Sequence, residues 1–73
     1  MKKKYVDLVR VLITRREEKN ITISQMADKC GRSRQQIYNF ETFKQESYHL
    51  IFQYLCILFT REEIADIIEK WGL

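Results

Sequence analysis

Apolar residues recur along this chain at intervals of three and four, in five runs, and each run is bounded by residues that start or stop helices. Over residues 3–19, Tyr5, Leu8, Val9, Leu12 and Ile13 share one side of a helix. Arg15, Arg16, Glu17, Glu18 and Lys19 then form a polar end, and Asn20 can close it. Thr22-Ile23-Ser24-Gln25 is a capping-box pattern, which predicts a second helix over 23–30 with Met26, Ala27 and Cys30 facing inward. Gly31 stands where a left-handed stop is needed. Ser33-Arg34-Gln35-Gln36 repeats the box and predicts a third helix over 34–42, anchored by Ile37 and Phe40. Ser47 can cap a fourth helix over 48–59. Thr60-Arg61-Glu62-Glu63 opens a fifth over 61–70, in which Ile64, Ile67, Ile68 and Trp71 form a stripe that Gly72 ends. No segment alternates as a strand does. The expected architecture is all-α, a compact bundle of five short helices in a single domain.

Composition narrows the picture. A chain of 73 residues with no proline and two glycines has room for one small domain and no interior linker. Such a domain buries only about 60% of its unfolded surface and gains from a partner subunit. Net charge is +3, but it is unevenly placed: +4 over residues 1–20, +2 over 21–44 and −3 over 45–73. The basic part suits an anion, and the acidic tail suits something else. Lys2, Lys3 and Lys4 read as a solvated start or as a basic arm that tracks DNA.

The chemistry classes excluded are as informative. Cys30 and Cys56 both fall on apolar helix faces and are expected as core thiols, with neither zinc spacing nor a structural disulfide. His49, the one histidine, has no catalytic partner in view. No paired base and nucleophile, metal cluster or phosphate-cradling glycine loop appears, so neither an enzyme nor a metal or other cofactor is expected. No run reaches the ~20 apolar residues of a membrane span, and Asp7 and Arg10 interrupt anything resembling a signal peptide. A cytoplasmic protein without membrane contact is expected.

The segment Ile21–Glu41 carries the function. A helix, a Gly-x-Ser turn and a second helix of about nine residues make a helix-turn-helix pattern. Ala27 is small where the helices cross. With Ile37 and Phe40 turned inward, Arg34, Gln35, Tyr38, Asn39 and Thr42 face out. Arg pairs bidentately with guanine O6 and N7, and Gln or Asn with adenine N6 and N7. Tyr38 can stack on a sugar or a thymine methyl, or simply cover the bundle.

The pattern T-x-x-Q-M-A-x-K-x-G-x-S-R-x-x-I-x-x-F-E at Thr22–Glu41 resembles the Cro/phage-repressor (XRE-type) helix-turn-helix. The lead-in Arg16–Ile21 and the two following helices also resemble the family's five-helix, lambda-repressor-like domain, so the likeness runs from about residue 5 to 70. It implies a transcriptional regulator that binds double-stranded operator DNA as a two-fold homodimer. Arg34, Gln35 and Asn39 match its base-reading positions. Thr22 matches a phosphate contact, Ser33 sits at the recognition helix's entry into the major groove, and Lys44 falls in a loop that often touches the backbone; Ser33 and an outward-pointing Arg32 are expected to hold phosphates as well. The chain departs from the pattern at Ile23, where Gln is common, and at Arg32, where an apolar residue is usual. Phe43 replaces a glycine, which predicts a longer third helix or a changed loop.

The fourth helix is apolar nearly all round, which calls for burial nearly all round. Phe52, Phe59 and Trp71 are therefore expected at a subunit interface, alongside Phe43. A contrasting expectation is a protein-binding module on the same scaffold, an antirepressor or an inhibitor of a host protein, or an antitoxin. The small size leaves regulation to concentration or to a regulatory protein partner.

Overall fold

The computed structural model describes residues 1–73 and contains five helices and no strand. They are α1 (Lys3–Glu18), α2 (Ile23–Cys30), α3 (Arg34–Glu41), α4 (Tyr48–Leu58) and α5 (Arg61–Trp71). No helix is long and apolar enough to cross a membrane. All three capping boxes form, at Thr22, Ser33 and Thr60. The Ser47 hydroxyl accepts from the Leu50 amide at 3.1 Å. Each box satisfies amides that the first turn of a helix leaves unpaired.

The α1 stripe of Tyr5, Leu8, Val9 and Leu12 packs on Leu50, Ile51, Tyr54, Leu55 and Leu58 of α4. Met26, Ala27 and Cys30 of α2 and Ile37 and Phe40 of α3 close the core from the other side. The Phe40 and Tyr54 rings meet at 5.1 Å between centroids. Ala27 is buried where α2 and α3 meet.

Two charged residues belong to this core. Arg16 lies four residues beyond Leu12, so the helical repeat that buries Leu12 buries Arg16 too. It is not part of a solvated polar end, as the charge run suggested. Its guanidinium donates to both carboxylate oxygens of Glu41, at 2.7 and 2.8 Å, and to the Ile21 carbonyl at 2.7 Å. The Tyr54 hydroxyl donates to the same carboxylate. Arg15, from the same charge run, donates to the Leu58 carbonyl and to Glu63, tying α1 to the start of α5. Glu63 sits below its usual pKa, first because its carboxylate accepts the Thr60 amide of the capping box, and further through Arg15.

Two other expectations change. Cys56 is exposed, because the buried side of α4 is the Ile51–Tyr54–Leu55–Leu58 side and Cys56 falls opposite it. Nor is α3 lengthened by the loss of a glycine after Glu41. Phe43 itself takes the left-handed conformation (φ 63°), while the Lys44 and Gln45 amides both reach the Asn39 carbonyl, at 2.9 and 3.2 Å. That conformation costs a side chain roughly 1–2 kcal/mol. Packing of the ring against the core, with the Arg10 guanidinium 6.0 Å from its centroid, offsets it.

Removing one partner of a buried ion pair strands the other. Arg16→Ala or Glu41→Ala should therefore cost about 3–5 kcal/mol in urea denaturation, enough to unfold much of a domain this small. Burial, followed by the hydrogen bond and charge of Glu41, holds the Tyr54 phenol above its usual pKa, and burial does the same to Tyr5. Folding thus favours the neutral phenols. Their contribution is complete below the unfolded tyrosine pKa of about 10 and is lost as pH rises beyond it. In an alkaline titration, Tyr5 and Tyr54 should ionise in the same step in which helical circular dichroism disappears. Ionisation of both with the helices intact would contradict this account.

Candidate nucleic-acid interface

The segment from Thr22 to Lys44 supplies two capped helix starts and one exposed helix face. At the start of α2, the Thr22 hydroxyl accepts from the Gln25 amide at 3.1 Å, and the Gln25 side chain accepts from the Thr22 amide at 2.8 Å. At the start of α3, the Ser33 hydroxyl accepts from the Gln36 amide at 3.2 Å, and Gln36 returns the bond at 2.9 Å. In each box the hydroxyl accepts and keeps its own hydrogen free to donate outward. Both starts also carry the positive end of a helix dipole. Gly31 joins them at φ 66°, ψ 35°, with the Arg32 amide on the Ala27 carbonyl at 2.9 Å. A Cβ at Gly31 would meet nothing within 4 Å, so glycine is needed there for its backbone angle and not for space.

The outward side of α3 presents Arg34, Gln35 and Tyr38, all exposed, with Asn39 half-buried beside them. The Gln35 amide nitrogen donates to the Asn39 side-chain oxygen at 2.9 Å. That bond uses one donor and one acceptor and leaves the Gln35 oxygen and the Asn39 NH2 free to act together. Tyr38 lies under the Lys44 ammonium, 5.3 Å from its ring centroid. The Thr42 hydroxyl turns back to the Tyr38 carbonyl at 2.8 Å. Gln36 is occupied by its cap. Arg32 is half-buried in the turn, and none of Arg32, Arg34 and Lys44 is in an ion pair; the two pairs in the chain are Arg15–Glu63 and Arg16–Glu41. The only carboxylate of α3 is Glu41, which is turned inward to Arg16. The surface is therefore cationic, rich in amides, and free of exposed acid along α3.

Its orientation depends on side chains that the charge pattern did not single out. Arg16 of α1 and Tyr54 of α4 both hold Glu41, the last residue of α3. Burial works against the Arg16 charge, but the hydrogen bonds and charge of Glu41 outweigh it, so its pKa lies above the usual value. On the other side, the Gln53 amide donates to the Cys30 carbonyl at 3.0 Å and secures the end of α2. The register of Arg16 behind Leu12 was the available sequence signal for the first of these. None marked Gln53.

The expected interface residues do not gather in one place. Phe52 and Trp71 line the same groove and are partly exposed. Phe59 lies elsewhere, beneath the Arg15 guanidinium at 4.7 Å, and lines a separate depression with Val11 and Thr14. Phe43 is taken up by the core edge. No group of three or more His, Cys, Asp or Glu side chains is assembled that could hold a metal ion.

The distinction between supporting and presenting residues is measurable. Ser33→Ala should cost about 1 kcal/mol by loss of the α3 cap. Arg34→Ala should leave stability within about 0.5 kcal/mol, since its side chain is exposed and unpartnered. Thermal denaturation of both variants tests this, and a marked loss at Arg34 would give that residue a structural role. No family model, curated protein or solved structure matches this chain.

Proposed function

We propose that this protein is a sequence-preferring DNA-binding transcriptional regulator, a repressor that occupies a near-palindromic operator as a dimer. The observation that carries the reading is the outward face of α3. It combines Arg34, Gln35, Tyr38 and Asn39 with no exposed carboxylate, on a helix whose start is capped by Ser33. The resemblance of Thr22–Glu41 to the Cro/phage-repressor helix-turn-helix supports the same reading.

In this mechanism α3 lies in the major groove. Arg34 pairs with guanine O6 and N7. The free Gln35 oxygen and Asn39 NH2 match the N6 donor and N7 acceptor of adenine, so the two amides read one base as a unit. Tyr38 packs on a thymine methyl or a sugar. Thr22 and Ser33 donate their free hydroxyl hydrogens to phosphates, and Arg32 and Lys44 neutralise phosphates on either side. Successive major-groove half-sites lie about 34 Å apart on one face of the duplex. The longest extent of the fold is 30 Å. One copy therefore covers one half-site, and two are needed for a palindrome.

Gel shifts against the protein's own promoter region test the reading. Arg34→Ala should relax preference at one base pair per half-site and cost about 1–3 kcal/mol. Lys44→Ala should weaken all sequences alike and flatten the log–log salt dependence by about one per copy. Absence of any sequence preference at low salt would overturn the proposal and direct attention to a protein target for the same face.

A further inference from the structure

Away from the α2–α3 face, the chain carries a second organised surface. Where α1, α4 and α5 meet, their packing leaves a groove of about 470 Å³ lined by Tyr5, Tyr48, Phe52 and Trp71 and edged by Lys2 and Lys4. That volume falls within the ~300–1,000 Å³ usual for binding sites. No residue of α2 or α3 lines the groove, and no Asp or Glu does. Tyr48 and Phe52 are 50% and 48% exposed. With Leu73, which also lines the groove, they gather three exposed large apolar side chains in one place. Such side chains scattered singly need no explanation, but a cluster rimmed by charge marks a contact site.

The edge of this groove is basic. The Lys4 ammonium is held there, where a Cβ at Gly72 would stand 3.1 Å from it. The Lys70 ammonium lies 5.8 Å from the centroid of the Trp71 ring. None of Lys2, Lys4 and Lys70 is in an ion pair. Helix α1 begins at this edge and lacks the side-chain cap that the other four helices have, so the positive end of its dipole adds to the lysines. Glu46 lines an adjoining depression with Lys2 and Tyr48, which Trp71 does not enter. We propose that the groove docks an acidic peptide segment of another protein. Its apolar side chains rest on Tyr48, Phe52 and Trp71, and its carboxylates meet Lys2 and Lys4. A second copy of the chain is a poorer occupant, because a two-fold contact sets the basic edge against itself. A bilayer is poorer too, because a flat surface leaves a concave floor uncovered. The site shares no residue with the α3 face and does not rest on the operator reading.

The test is selection of short random peptides displayed on phage against the full chain, with binders to Phe52→Asp discarded. Lys2, Lys4 and Phe52 are exposed, so substitutions there spare the core, and circular dichroism checks folding. Selected peptides should be net acidic and carry apolar residues. Synthesised without tryptophan, they should change the fluorescence of Trp71, the only tryptophan in the chain. Lys2→Glu combined with Lys4→Glu should raise their dissociation constant about ten-fold or more, and Phe52→Asp should abolish binding. Exchanging the acids of the peptide for lysine should restore binding to the double variant and remove it from the wild type. Arg34→Ala should leave binding unchanged. A library that yields no binder, binders that are neutral or basic, or a dissociation constant indifferent to the lysine substitutions would each overturn the proposal. Two further outcomes would overturn it by naming another occupant. A Trp71 signal that grows with the protein's own concentration and disappears in Phe52→Asp assigns the groove to a second copy. One that appears only with phosphatidylserine vesicles assigns it to a bilayer.

Discussion

The guanidinium of Arg16 is a full charge in the interior of a very small protein, and most of the fold is arranged to make that tolerable. Moving such an ion out of water costs several kcal/mol even after relaxation. Here the cost is met by three acceptors, one on each guanidinium nitrogen: two carboxylate oxygens of Glu41 and the Ile21 carbonyl, with the Tyr54 hydroxyl donating to the same carboxylate. These groups come from α1, the α1–α2 connection, the end of α3 and the middle of α4. A bidentate pair also fixes direction, which an apolar contact of the same size does not. Because Glu41 closes α3, the pair fastens the end of that helix to α1, beside the Ile37 and Phe40 packing that seats it on the core. The exposed side chains of α3 inherit their positions from a buried bond they do not touch.

Much of the architecture was readable in the chain, and the reasons differ by element. Helix starts were the clearest feature, because a hydroxyl followed three residues later by Gln or Glu solves a local hydrogen-bonding problem, and all three such boxes form. Gly31 and Gly72 were readable for the same local reason, and both take left-handed angles. Burial of Arg16 and Glu41 was not, because residue type and periodicity pointed in opposite directions and only the tertiary pairing resolves them. The burial of Cys56 was misread for a related reason. In a helix as apolar as α4, composition does not say which side faces the core; the position of Tyr54 and the Arg15 guanidinium over Phe59 do. Phe43 shows the limit of analogy with a glycine-bearing loop: a bulky residue takes the left-handed angle itself, with its ring packed against the core.

Among the candidate base readers, the sequence gives identity and spacing, while the structure adds availability. Gln36 is as polar as Gln35 and its immediate neighbour, yet its amide oxygen is committed to the cap, which turns the side chain back toward Ser33. Thr42 faces out but spends its hydrogen on the Tyr38 carbonyl. Arg34 alone on this face is both charged and unengaged along the length of α3. Such distinctions follow from hydrogen-bond accounting within one turn of helix, and no composition measure contains them.

The bond between Gln35 and Asn39 has a consequence for how this surface can change over time. Two amides joined in this way do not act as independent hydrogen-bonding groups. On the proposed DNA-binding reading, replacing either alone would leave its partner with an unmatched group facing the groove, so a single substitution would degrade the old preference before creating a new one. Shifts in target would then pass through paired replacement, or begin at Arg34, which has no such tie. On the operator reading proposed above, preference is held by internal coupling within α3, and the readiest path to divergence starts at the first residue of that helix.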